Sequence, residues 1–174
     1  NEGLLAEKST AVGDVVIDIS QAEQTIEGFG ACFNELGWTS LSLLKEEERQ
    51  QIFAELFKPG VGANFTICRM PVGANDFSRD WYSYNETEGD FANATFSVAN
   101  DRETLIPFIH EAQKYNPGLK LWASPWSPPA WMKWNKHYAC SVPWPGLAEK
   151  FQNHLPADKQ GKEGTNMFIQ EKEY

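Results

Sequence analysis

Leu121-Trp-Ala-Ser-Pro-Trp-Ser-Pro-Pro-Ala-Trp131 begins as an apolar run and breaks at Pro125. An apolar run that stops at proline reads as a strand with a loop at its carboxyl end. The loop holds prolines, serines and tryptophans together. Such a loop suits a sugar-binding cleft, because rings offer flat apolar faces and short polar groups hold hydroxyls. Five of the seven tryptophans lie between Trp122 and Trp144, so the aromatic weight is local. The rest of such a site is expected at the carboxyl ends of the other strands.

Those strands alternate with helices. Val12 to Ile19 reads as a strand, and Thr25 to Phe33 as a second extended segment cut by Gly28 and Gly30. Glycines there suggest close backbone approach or a bend. Thr39 to Phe57 carries apolar residues near helical spacing, with Lys45 to Gln51 facing solvent and Pro59-Gly60 as its stop. Asn64 to Met70 is a strand ended by Pro71. Val72 to Ala99 is a long polar and aromatic loop, a length that is usually functional in a compact domain. Asn100 with Glu103 has capping-box spacing, so a helix is expected from Asn100, with Leu105, Ile106, Ile109 and Ala112 on its apolar face. Leu119 to Ser124 is the next strand. A further helix is expected near Thr165.

Alternation with helix-sized connections implies parallel strands. Long connections follow strands and short ones follow helices, which fits a (β/α) barrel whose active face is built from the loops after strands. A doubly wound open sheet fits the alternation too, but no G-x-G-x-x-G follows any strand. A full barrel needs roughly 250 residues, and this chain has 174. The expectation is therefore an amino-terminal portion that needs the remainder of the barrel to close, since open strand edges are a liability.

Composition narrows the function. A formal net charge of −9 argues against nucleic acid or an anionic membrane as partner. No run of about 18 apolar residues is present, so no membrane span is expected. No signal peptide is expected at Asn1, which fits either a cytosolic chain or a mature form with its signal removed. His110, His137 and His154 share no ligand spacing with Cys32, Cys68 and Cys140, so neither a metal nor another cofactor is expected. Cys68 reads as a buried thiol. N-x-S/T triplets begin at Asn64, Asn85 and Asn93 and carry little weight.

Candidate site residues sit at the predicted strand ends. Asp76, in a loop flanked by aromatics, can accept hydrogen bonds from vicinal sugar hydroxyls or can cap its own loop as an Asx turn. Trp126 can line a sugar subsite or plug the space beneath a loop. Arg69 ends a buried strand, so its charge needs a partner, structural or catalytic. Glu35 can be catalytic, but pairing with Arg69 is the favoured reading. Trp131 and Trp134 read as loop packing.

Three motifs then carry a resemblance: Gln24-Thr-Ile-Glu-Gly-Phe-Gly30, Arg69-Met-Pro with Asp76-Phe-Ser78, and Ala123 to Trp131. In order and spacing they resemble glycoside hydrolase family 30, which includes glucosylceramidases, β-xylosidases and β-1,6-glucanases. The resemblance covers about Val15 to Trp134. It implies a (β/α)₈ barrel with a β-sandwich side domain. Residues 1–22 would give strands to the sandwich, and 23–174 the first three β/α units. It also implies a retaining β-glycosidase of β-linked glucosides or oligosaccharides, secreted or periplasmic. Asp76 would bind sugar hydroxyls, Phe77 and Trp126 would line the glycone pocket, and Arg69 would brace the centre. Retention uses two glutamates about 5–5.5 Å apart. Both are expected beyond Tyr174, so the chain alone is expected to be inactive. Asn34-Glu35 imitates the acid/base dipeptide but follows the first strand, where the family usually has Thr-Asp. Glu35 is therefore expected in the pocket wall or a support network. The same aromatics would also serve a non-catalytic carbohydrate-binding module, or simply a structural piece.

Overall fold

A computed structural model describes residues 20–133, 136 and 138. The predicted Val12–Ile19 strand, the helix near Thr165, Trp134 and Cys140 lie outside the described residues. Within them, helix α1 (Glu35–Leu41) is followed by α2 (Glu46–Phe57), strand β1 (Ile67–Val72), α3 (Leu105–Tyr115), β2 (Lys120–Pro125) and a short 3-10 turn at Ala130–Met132.

β1 and β2 pair in parallel, with Arg69 opposite Trp122 and Pro71 opposite Ser124. On the other side of β1 runs the extended segment 29–33, bridged in parallel at Cys32 and Arg69. Its ladder includes Arg69 N–H to Ala31 O at 3.0 Å and Phe33 N–H to Arg69 O at 2.9 Å. Three runs of chain therefore point the same way, and their following loops emerge at one end. Gly30 makes the first contact possible: a Cβ there would lie 1.6 Å from Ile67 O.

The helices cover one face of these runs. Phe53 and Phe57 of α2, spaced i to i+4, meet Leu105, Phe108, Ile109 and Ala112 of α3, with Phe33, Cys68 and Leu119 from the extended segments. The rings interlock, with Phe53 and Phe33 each meeting Phe108 edge-on, at 5.7 and 4.8 Å between centroids. Each such ring, buried fully, contributes on the order of 1.5–3 kcal/mol. Among the described residues no strand pairs with the outer side of β2, and Trp122 and Leu121 are exposed.

Three boundaries differ from expectation. The single helix over 39–57 is two. Asn34 caps α1, accepting from Gly37 N–H at 2.7 Å, and the chain turns at Ser42–Leu44 before Lys45 N–H meets Glu48 at 3.1 Å to start α2. The third helix begins at Leu105 rather than Asn100, because Asn100 and Glu103 face Arg79 instead of capping. β1 also runs through Pro71 to Val72. Proline ends a strand only where its missing N–H is needed. Phe108 replaces the expected Ile106 in the buried face of α3.

Candidate functional site

The common end of the parallel runs carries Asn34-Glu35, the Asp76 turn and Trp126. The Asp76 turn is tight. Asn75 Oδ1 accepts from Phe77 N–H at 2.9 Å, and Asn75 N–H donates to Ser78 Oγ at 2.9 Å. Asn75, not Asp76, therefore closes the loop. Asp76 is left exposed at its tip, with no hydrogen bond to another described residue. Its neighbours Asn75, Ser78, Arg79, Asp80 and Trp81 line a cavity of about 320 Å³ with it, at the small end of ligand-sized pockets. Phe77 beside it is 58% exposed.

Trp126 follows β2 directly and is 47% exposed in this structure. Its ring lies 5.2 Å from the Arg69 guanidinium, which also lies 5.9 Å from Trp122. Arg69 Nε donates to Cys32 Sγ at 3.2 Å. Among the described residues Arg69 has no carboxylate partner. An arginine set against two indoles is a cation–π arrangement that fixes both planes. Ser124 Oγ, one strand position from Pro125, is buried with no hydrogen-bond partner among the described residues.

Glu35 does not pair with Arg69, which corrects the sequence expectation. It is fully buried and ion-pairs Arg79 Nε at 3.2 Å. Arg79 N–H donates to its other oxygen at 3.0 Å, and Asn100 Nδ2 and Thr104 Oγ1 donate at 2.9 and 3.0 Å. Sequence reasoning missed Arg79, whose guanidinium reaches Glu35 and Glu103 together. Glu103, then the charge of Glu35, hold that guanidinium protonated more firmly than usual. The signal was present in the adjacent Asn100 and Glu103, but it resembled a helix cap.

Sequence reasoning also missed a tyrosine clasp. Tyr82 and Tyr84 hydroxyls both donate to the buried carboxylate of Asp101, Tyr82 at 2.7 Å. Burial first, and Asp101 second, push both phenols well above their ordinary range. Farther along, Trp131 is buried and its indole N–H donates to Asn85 O at 3.0 Å. Phe91 meets its ring edge-on at 5.3 Å. The loop after β1 and the loop after β2 are therefore fastened together. Asn85, which begins an N-x-T triplet, is buried with its amide donating to Asp90 and Asn93, so it offers no free nitrogen to a glycan in this fold. Among the described residues no group of three or more His, Cys, Asp or Glu side chains gathers as a metal site would. No described helix is long and apolar enough to cross a membrane.

Residues 26–149 match the glycosyl hydrolase family 30 TIM-barrel domain. The chain belongs to that family. The parallel runs are thus part of a TIM barrel rather than of a doubly wound sheet, and the loops bearing Asp76 and Trp126 lie on its strand-end face. Putative glucosylceramidase 1 of Caenorhabditis elegans is 38% identical over 123 residues, 70% of this family-30 chain and 23% of the relative. Endo-1,6-beta-D-glucanase of Neurospora crassa is 32% identical, covering 67% of the chain and 25% of that protein. The crystal structure of SrfJ from Salmonella typhimurium superposes with a TM-score of 0.63 at 38% identity, over 67% of the chain and 26% of SrfJ. The chain spans about a quarter of the length of these relatives.

Proposed function

We propose that this chain forms one wall of the sugar pocket in a retaining β-glycosidase that hydrolyses β-glucosidic bonds, glucosylceramidase-like in its recognition of the glucosyl unit. The single observation that carries the reading is the free carboxylate of Asp76. It stands exposed at the tip of a turn closed by Asn75, on the face where family-30 barrels carry their strand-end loops. A carboxylate held out in this way accepts two hydroxyl hydrogen bonds from one sugar ring. Phe77 and Trp126 supply apolar faces for its C–H surface, and Arg69 braces Trp126.

In this reading the acid/base and nucleophilic glutamates come from other parts of the polypeptide. The acid protonates the glycosidic oxygen while the nucleophile attacks C1, and water then releases the sugar with retained configuration. Residues 1–174 by themselves supply recognition and no bond cleavage. The relatives' names favour two substrate groups, glucosylceramide and 1,6-β-linked glucan, and the exposed Asp76 turn suits the terminal glucosyl unit of the first. Such substrates favour an extracytoplasmic location.

The test is Asp76→Ala in the full-length polypeptide that contains this chain, assayed on an aryl β-glucoside. The turn does not use the Asp76 side chain, so the fold should persist. kcat/KM should fall by about a hundredfold or more, the loss of two charge-assisted hydrogen bonds. Unchanged kinetics would remove Asp76 from the pocket. A carbohydrate-binding module is the alternative. It would show sugar binding lost in Asp76→Ala with no hydrolysis by the parent.

A further inference from the structure

We propose that Glu35 is a positioning residue for sugar recognition, a buried clamp that holds the Asp76 turn in its presenting geometry; this rests on the glycosidase reading above. Glu35 and its helix grip the turn at two points. Leu36 N–H donates to Phe77 O at 3.1 Å, and Arg79 N–H donates to Glu35 Oε2 at 3.0 Å. The grip therefore falls immediately after Asp76 and spans the residues that aim it. Nothing in the turn's own bonding, Asn75 to Ser78, ties it to the barrel. The clamp does.

The carboxylate is anchored from behind. Arg79 Nε, Asn100 Nδ2 and Thr104 Oγ1 all donate to Oε1, at 3.2, 2.9 and 3.0 Å. Three donors on Oε1 leave Oε2 to the Arg79 backbone. Both oxygens are thus needed as acceptors, which is why a carboxylate and not an amide fits. Asn100 and Thr104 belong to the approach to α3, so the clamp refers the turn to the helix layer. A fully buried charge is costly to leave unsatisfied, so each of these donors matters.

Glu35→Gln discriminates at the level of one atom. The three donors on Oε1 hold the amide oxygen there, which turns the amide nitrogen toward Arg79 N–H, donor against donor. The turn loses the anchor at Arg79 N–H and keeps only the one from Leu36 N–H to Phe77 O, while α1, α2 and the core keep their packing.

The experiment has two arms. In the first, backbone amide hydrogen exchange is followed in wild type and Glu35→Gln. Faster exchange confined to 75–81, with 46–57 unchanged, is the expected result. No change at 75–81, or equal loosening of 46–57, overturns the proposal. In the second, wild type, Glu35→Gln, Asp76→Ala and the double variant are assayed on an aryl β-glucoside in the full-length polypeptide. Glu35→Gln should lower kcat/KM about tenfold or more, the scale of small misplacements near a reacting centre. In the Asp76→Ala background the same change should cost less than about threefold, because it acts through Asp76. Equal costs in both backgrounds would make Glu35 merely structural and overturn the proposal. Absence of hydrolysis in wild type would refute the glycosidase reading instead, and the exchange arm would still decide the clamp.

Discussion

Tyr82→Phe and Tyr84→Phe, singly and together, are the perturbations whose magnitudes follow most directly from the structure. Each removes one oxygen and leaves the ring. Each deletes one hydrogen bond to the Asp101 carboxylate, which is 3% exposed and has no other described donor. Water cannot replace the lost donor at that depth. A hydrogen bond to a charged group contributes about 1.5–3 kcal/mol, so each single variant should lose about that much stability. The double variant should lose more than the sum, because the buried carboxylate then has no donor at all. Urea unfolding followed by tryptophan fluorescence reads this as a lower midpoint at unchanged slope. Single losses below about 0.5 kcal/mol, or a double loss no larger than either single one, would refute the clasp as a pair of charge-assisted hydrogen bonds to Asp101.

The same phenols give a pH signature. Their folded pKa values are raised above the ordinary value near 10. The folded state therefore holds protons that the unfolded state releases above about pH 10, and stability is full below that point and falls as pH rises past it. The Tyr82→Phe/Tyr84→Phe double variant should show a shallower alkaline decline. An identical slope in wild type and double variant would count against the raised values.

Two further changes test the core and the first parallel run. Phe53→Ala removes a ring with no exposed surface, centroids 5.7 Å from both Phe57 and Phe108. It should cost about 3–5 kcal/mol and lower the Tm by many degrees in calorimetry; a shift of only a degree or two would mean the site collapses freely. Gly30→Ala sets a methyl 1.6 Å from the carbonyl of Ile67, a backbone atom that cannot step aside, so soluble folded protein should be lost on expression. Gly60→Ala is its control, left-handed but with nothing within 4 Å, and should cost only about 1–2 kcal/mol.

What could be read from the sequence was periodic or abrupt. Phe53 and Phe57 repeat at helical spacing, Pro59-Gly60 stops the helix, and Gly28 and Gly30 flagged a tight approach. These follow from one segment's own chemistry. What could not be read was competition between segments. Asn100 and Glu103 have the spacing of a cap, yet Arg79, some twenty residues earlier, takes both. Glu35 has two arginines to choose from, and only the folded path of the 73–104 loop decides for Arg79. Pro71 looked like a strand end because the absence of its N–H is visible in sequence, whereas the lack of any need for that N–H is not. Asp76 and Asn75 stand side by side, and either could have closed the turn. Asn75 does, which frees the carboxylate.

The bond from Trp131 to Asn85 O bears on the entropy of recognition. Because it fastens the loop after β1 to the loop after β2, those two loops lose their relative freedom when the chain folds rather than when a ligand arrives. A ligand that touches Asp76 on one and Trp126 on the other finds them already ordered, so less of its interaction energy is consumed in arranging them. Loosening that fastening should therefore appear as a more unfavourable binding entropy with the direct contacts unchanged.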